Sequence, residues 1–264
     1  MVMDNILEKI VATKRKEIAK QKEAVSTENL VQQIGEIHPN HSFKDALIKS
    51  SAGIIAEFKR KSPSRSWIFK EAKIEDVIPL YSQNGASAIS ILTDMDFFGG
   101  TFDDFRQARG LTDVPLLRKD FIVDEYQIFQ SKQMQADVIL LIASALSVEN
   151  TRLFAKRAKE LKMDVLLEIH NEKELDYINE FVDVVGVNNR NLSTFVTDVN
   201  ISLGLADKIP QGFVKISESG ISSPETVKEL RSVGFQGFLM GENFMKTENP
   251  GKALETFIKE LAHA

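Results

Sequence analysis

The sequence predicts an α/β fold of the (β/α)8 TIM-barrel type with extra N-terminal helices. Three observations lead there. From Gly53 onward, short apolar, β-branched runs alternate eight times with polar helical stretches, at spacings of roughly 20 to 30 residues, the length of a strand-plus-helix unit. The first of these runs is largely apolar on both faces before its end, as a parallel strand covered on both sides is. Charged residues then gather where the runs end, and a barrel keeps its chemistry at the C-terminal ends of its strands. Residues 1–264 are expected to form one domain, with residues 1–50 as an N-terminal helical extension; 43% hydrophobic residues suffice for one large core. An open doubly wound sheet is the alternative, and the lack of a G-x-G-x-x-G turn argues only weakly against it.

In chain order, Asp4 to Ala24 reads as a helix, because Ile6, Ile10, Val11 and Ile18 recur near helical spacing among lysines and glutamates. Ser26 to Ile37 and Phe43 to Ile48 hold two shorter helices. His38 and His41 flank a loop without an acidic partner or a third histidine nearby, so they read as solvated rather than metal-binding. Strands are predicted to begin at Gly53, Ala86, Val114, Ala136, Met163, Val182, Phe213 and Phe235. Between them lie helices over Ile74 to Ser82, with Pro79 a blemish, then Phe102 to Arg109, Asp124 to Gln133, Val148 to Leu161 and Glu172 to Glu180. Asn200 to Lys208 follows; Ser223 caps a helix with Pro224 at its first position, and Pro250 to Ala262 closes the chain.

Composition excludes several classes. A formal net charge of -5 with 27% charged residues points to neither nucleic acid nor a membrane surface. No stretch approaches the roughly 20 apolar residues that span a bilayer, and Met1 to Lys16 lacks the apolar run of a signal peptide. The absence of cysteine removes disulfides, a thiol nucleophile and cysteine metal sites. A cytoplasmic protein is expected. The outer helices carry no long apolar stripe, so a monomer is the default.

The first strand, IIAEFK, places Ile55, Glu57 and Lys59 on one face. Burying a charge is costly unless it is paired, so Glu57 and Lys59 form either a strand-end ion pair or a catalytic pair. Lys119 shares parity with Leu117 and ends strand three; Glu168 shares parity with Leu166 near the end of strand five, followed by His170; Asn188 and Arg190 share a face at the end of strand six. Taken singly, each reads as a solvated rim charge: Lys119 could pair with Asp120, and Glu168 with Arg190. Taken together, they converge on one rim. Strands seven and eight end in Ser219-Gly220 and Gly241-Glu242. Glycines let backbone N–H groups approach an anion closely, and the loops after strands seven and eight often bind phosphate in barrels.

The stretches IAEFKRKSPS, SILTDMDFFGG, PLLRKDFIVDEYQI, DVILLIASAL, LLEIHNEKEL, VGVNNRNL, ISESGI and FLMGENFM, in that order, resemble the indole-3-glycerol-phosphate synthase family, and ILEKIVATKRKEI is similar to its N-terminal extension. The resemblance implies closure of 1-(2-carboxyphenylamino)-1-deoxyribulose 5-phosphate to indole-3-glycerol phosphate, with loss of carbon dioxide and water, in tryptophan biosynthesis. It implies a small-molecule phosphosugar-aniline substrate and neither a metal nor an organic cofactor. Lys119 would be the general acid toward the substrate carbonyl and Glu168 the acid/base partner in later steps. Glu57 and Lys59 would orient substrate and share in proton transfer, with the dehydration step open between Lys59 and Lys119. Asn188 would hold the sugar, Arg190 would balance anionic charge, and Ser62 would contact substrate near the mobile first loop. Ser219, Gly220, Gly241 and Glu242 would cradle phosphate, and Pro63, Phe98, Phe121, Leu140, Ile142 and Leu192 would wall the aromatic ring.

Lys119 is expected to need a lowered pKa, supplied by repulsion from Lys59. The chain departs from the family after SPS, where a basic residue and a glycine are usual and Arg65-Ser66-Trp67 stands here; a non-glycine residue rarely takes positive φ. Of the competing readings, phosphoribosylanthranilate isomerase relies on a cysteine that this chain lacks. A class I aldolase-type barrel would use Lys119 as a Schiff base. A non-catalytic phosphosugar-binding barrel would bind without turnover.

Overall fold

The computed structural model describes residues 6–35, 41–192 and 194–263. Its centre is a closed barrel of eight parallel strands: β1 Ile54–Phe58, β2 Ala88–Leu92, β3 Leu116–Lys119, β4 Val138–Ile142, β5 Asp164–Ile169, β6 Val184–Asn188, β7 Val214–Glu218 and β8 Gly237–Met240. Each strand pairs with the next in the chain, and β8 returns to β1. Each begins one or two residues after its predicted start, within the usual fraying of element boundaries.

Alternation along the strands separates two cores. Ile55, Leu117, Leu140, Leu166, Val184, Ile216 and Leu239 point into the barrel. Ile54, Ala56, Ile89, Leu116, Ile139 and Leu167 belong to the layer between barrel and helices. That layer is covered by α4 Ile74–Gln83, α6 Phe102–Arg109, α7 Tyr126–Gln133, α8 Val148–Glu160, α9 Asn200–Leu205, α10 Pro224–Ser232 and α12 Pro250–His263. Their starts follow local chemistry: Thr101 and Asp104 form a reciprocal capping box, and the Ser147 and Ser223 hydroxyls accept the N–H groups of Asn150 and Thr226. Two short helices, α5 Met95–Phe98 and α11 Glu242–Met245, follow β2 and β8 directly.

The helix expected over Glu172 to Glu180 is instead a 3₁₀ turn, Glu172–Tyr177. Ile178 is extended, and the Asn179 side chain donates to the Tyr177 carbonyl and accepts the Phe181 N–H. These local bonds displace a helical continuation.

The N-terminal helices serve opposite ends of the barrel. In α3 Phe43–Lys49, Phe43 and Leu47 join the interior core, with Leu47 against Gly237, the first residue of β8. In α1 Ile6–Ala24, the buried residues are Leu7, Ile10, Lys14 and Ile18, and the first two reach the interior core at the C-terminal mouth. The short α2 Thr27–Ile34 is capped by Ser26. Asp4 and His38 lie outside the described residues; His41 is exposed and donates its backbone N–H to Asp137.

Candidate active site

The predicted strand-end charges meet inside the mouth of the barrel. Glu57 and Lys59, two residues apart on β1 and just past it, lie 2.7 Å apart. Lys119 Nζ lies 3.1 Å from Glu168 Oε2 and 2.5 Å from Glu218 Oε2. The alternatives left open by the sequence do not form: Lys119 does not pair with Asp120, nor Glu168 with Arg190. Glu218 joins the cluster without a sequence expectation behind it, although Val214 and Ile216 share its parity and face the interior, the same signal that marks Lys119. Two glycines make room for these acids. A Cβ on Gly186 would come within 2.5 Å of Glu218 Oε1, and one on Gly241 within 2.6 Å of Glu57 Oε1.

The electrostatics contradict one expectation. Burial alone would lower the Lys119 pKa, but the carboxylates of Glu218, Glu168 and Glu57 outweigh it and hold the ammonium above the ordinary lysine range. Lys59 does not depress it, because Lys59 is itself paired with Glu57. Burial would raise Glu168, yet Lys119, His170 and Asn188 hold its carboxyl well below the usual range. Glu218 goes the other way. Burial raises it, Lys119 partly offsets that, Glu168 adds to it, and the pKa stands at about 7. Its Oε1 is buried without a hydrogen-bond partner, as suits a carboxyl in a site with more acids than lysines.

The remaining predicted residues line the same cavity, about 350 Å³ in volume. Leu140 and Ile142 on β4, Phe121 after β3, Phe98 on α5, Leu192 after β6 and Pro63 after β1 give it apolar walls, with the Phe98 and Phe121 rings 5.9 Å apart. The Asn188 side-chain oxygen accepts the Arg190 N–H at 3.0 Å, leaving its amide to Glu168. On the far side, Ser219, Gly220, Gly241 and Glu242 line the cavity together with Ser222 and Asn243. Ser219 and Gly220 both have positive φ, 67° and 76°, and Asn189 steadies that bend by donating to the Ser219 carbonyl at 3.0 Å. Gly241 precedes α11, so the loops after β7 and β8 border one space.

The loop after β1 folds over this mouth as a two-stranded hairpin, Lys61–Ser62 with Ser66–Trp67. Ser62 and Ser64 hydroxyls lie 3.3 Å apart, and Arg190 donates to Ser64 at 2.7 Å. Arg65 reaches Glu242 at 3.1 Å, joining the hairpin to the loop after β8. Arg60 anchors the hairpin base through two bonds to Asp104, 2.7 and 2.8 Å. Ser66 takes φ 56°, the left-handed conformation for which glycine is suited. Trp67 lies on Gly99, with Lys61 and Lys70 each near its ring. Ile6, Leu7 and Ile10 of α1 close another side of the cavity, a placement the sequence did not disclose.

A (β/α)8 barrel that collects lysines and glutamates around one cavity at its strand ends has the layout of a barrel enzyme, whose chemistry sits at that face. A family model described as "Indole-3-glycerol phosphate synthase" matches residues 7–257. The chain is 54% identical over 259 residues to an indole-3-glycerol phosphate synthase of Bacteroides thetaiotaomicron, covering 98% of this chain and 100% of that one. It is 38% identical over 261 residues to one from Bordetella pertussis, covering 97% and 100%. The chain belongs to the indole-3-glycerol phosphate synthase family. Among solved structures, a thiamine phosphate pyrophosphorylase from Pyrococcus furiosus aligns with TM-score 0.61 at 14% identity, over 84% of this chain and 98% of that one. A chain of the tryptophan synthase complex of the same organism aligns at 0.59 and 15%, over 81% and 99%. Both likenesses concern the fold alone. Among the described residues no helix is long and apolar enough to cross a membrane.

Proposed function

We propose that this chain closes 1-(2-carboxyphenylamino)-1-deoxyribulose 5-phosphate to indole-3-glycerol phosphate, a carboxy-lyase step of tryptophan biosynthesis. The observation that carries the reading is the Lys119 ammonium, held between Glu168 and Glu218 inside a cavity with apolar walls and the glycines of two loops on its far side. The phosphate would rest on the N–H groups around Gly220 and Gly241, with the aromatic ring between Phe98, Phe121 and Leu140.

The ring carbon bearing the carboxylate attacks the ketone, and the oxygen gains charge as the carbon–carbon bond forms. Lys119 stabilises that oxygen and gives it a proton. Its raised pKa keeps the ammonium charged at every working pH, and the nascent alkoxide is basic enough to take the proton. Carbon dioxide then leaves the same ring carbon, and the electron pair it leaves behind restores aromaticity. Until Lys119 regains a proton it no longer counters the nearby carboxylates, and their proton affinity is higher. Glu168 takes the proton released from the methylene carbon, while Lys59 or reprotonated Lys119 gives one to the departing hydroxyl. The enzyme regains one proton from solvent over the cycle, which balances the carboxylate lost as carbon dioxide.

The test is to supply this substrate and follow the indole product by fluorescence. Product formation supports the reading. Binding without product would favour a phosphosugar-binding barrel, and a borohydride-trapped adduct on Lys119 would favour an aldolase. The reading also carries a monomer in the cytoplasm; light scattering checks the first part, with a single-chain mass expected.

A further inference from the structure

His170 follows β5 and shares parity with Glu168, but it does not line the cavity. It stands behind the catalytic carboxylate. Its Nε2 lies 3.3 Å from Glu168 Oε1, while Lys119 lies 3.1 Å from Glu168 Oε2. That nitrogen is shielded from solvent and has no aligned hydrogen bond, so Glu168 is the acceptor it faces.

The outer side of the ring is fixed as firmly. Glu174 Oε2 lies 3.2 Å from His170 Nδ1 and accepts the His170 backbone N–H at 2.7 Å, while Glu174 Oε1 accepts from Asn171 at 2.9 Å. The 3₁₀ turn that replaces the expected helix carries Glu174 and holds it at this place.

We propose that His170 is a positioning residue for Glu168: gripped by Glu174 from outside, its ring holds the inner carboxylate in place through the part of the cycle in which Lys119 has given up its proton. This inference rests on the reaction proposed above. The physical need follows from the charges. Glu168 is buried, and once Lys119 is neutral a buried carboxylate left without a counter-charge would be strongly destabilised. The groups facing the ring are Glu168 from β5 and Glu174 from the turn; Lys119 from β3 and Asn188 from β6 face Glu168 from its other side. Burial would lower the His170 pKa, but Glu168 and Glu174 outweigh it and push it up to about 10. The ring is therefore a cation through neutral pH and can replace Lys119 as the counter-charge.

The experiment has two arms. In the first, imidazole resonances are titrated by NMR in the wild type, in Glu174→Gln and in Glu168→Gln. His170 should remain protonated well above pH 8 in the wild type, and its midpoint should fall by more than about one unit in each variant, since each loses a facing charge. This arm needs no turnover, so it stands or falls apart from the proposed reaction. In the second, His170→Asn should lower kcat about tenfold, as the loss of one charge facing the carboxylate would, with KM little changed. The acidic limb of its kcat profile should move to higher pH, because Glu168 loses a cation that holds its carboxyl ionised. An ordinary His170 midpoint in the wild type would overturn the proposal. So would a His170→Asn enzyme whose kcat and acidic limb match the wild type, or one that loses stability alone.

Discussion

Three consecutive residues of one strand end, Arg118, Lys119 and Asp120, belong to two different charge clusters. Lys119 points inward to Glu168 and Glu218. Arg118 and Asp120 point outward into a network with Thr93, Lys14 and Asp94. The outward cluster is satisfied throughout. Arg118 donates to Thr93, Ser131, Asp120 and the Gln127 carbonyl, and Asp120 accepts from Thr93, Arg118 and the Phe121 N–H. The inward cluster sets Glu57, Glu168 and Glu218 against Lys59 and Lys119, leaves Glu218 Oε1 without a donor, and splits its acids' pKa values in opposite directions. Both clusters are buried, so burial does not distinguish them. Completeness of hydrogen bonding does: a finished network holds the strand, and an unfinished one keeps groups ready to exchange protons.

The largest contrast should come from Glu168→Gln. It keeps the shape of the inward cluster but removes its proposed base, and kcat should fall by about 10² to 10⁴ with substrate binding retained; steady-state kinetics checks this. Arg118→Met is the counterpart. It strips a fully buried cation from its carboxylate and should cost about 3 to 5 kcal/mol of stability, read by urea unfolding, while kcat per folded molecule stays within about tenfold. If each variant damaged both properties equally, the division between the two faces would be lost.

The same division explains what the sequence discloses. Strand parity places Glu57, Lys119 and Glu168 on interior faces, because the pleat has a strict period of two and apolar neighbours mark its sides. Glu218 was equally legible by that rule. Lys14 was legible as a lysine in a helical apolar stripe between Ile10 and Ile18, a position that demands buried acids. The pairing within the cluster was not legible, since it depends on how strands far apart in sequence face each other across the barrel. Nor was the direction of the Lys119 shift: three carboxylates converge there, and only the closed barrel brings them together. The placement of α1 at the mouth and α3 at the opposite end likewise depends on packing that periodicity does not encode.

Glu218→Gln sharpens the comparison through pH. The folded Glu218 pKa, about 7, lies above its ordinary value of 4.5, so between those values the folded chain holds a proton that the unfolded chain has released. Wild-type stability should therefore fall across that window as pH rises, and the variant should lack this fall. Its advantage at pH 8 over pH 4 should be on the order of 1 to 3 kcal/mol, measured by unfolding at both pH values. A variant with the same pH slope as the wild type would count against the unfinished character of the cluster.

The smallest expected effect concerns the hairpin. Ser66→Gly removes a left-handed serine, and the relief of about 1 kcal/mol is offset by a freer unfolded chain, so stability should barely move. Turnover should rise a few-fold where loop motion limits the rate. Equal turnover of the two proteins under that condition would show that Ser66 does not restrain closure.

The most direct measurement of the central claim is Lys119→Met, given the carboxyphenylamino substrate, with binding and indole formation followed separately. A substrate Kd close to that of the wild type, with kcat reduced by about 10³-fold or more, is the expected result. Turnover within about tenfold of the wild type would contradict the assignment of proton donation to this ammonium.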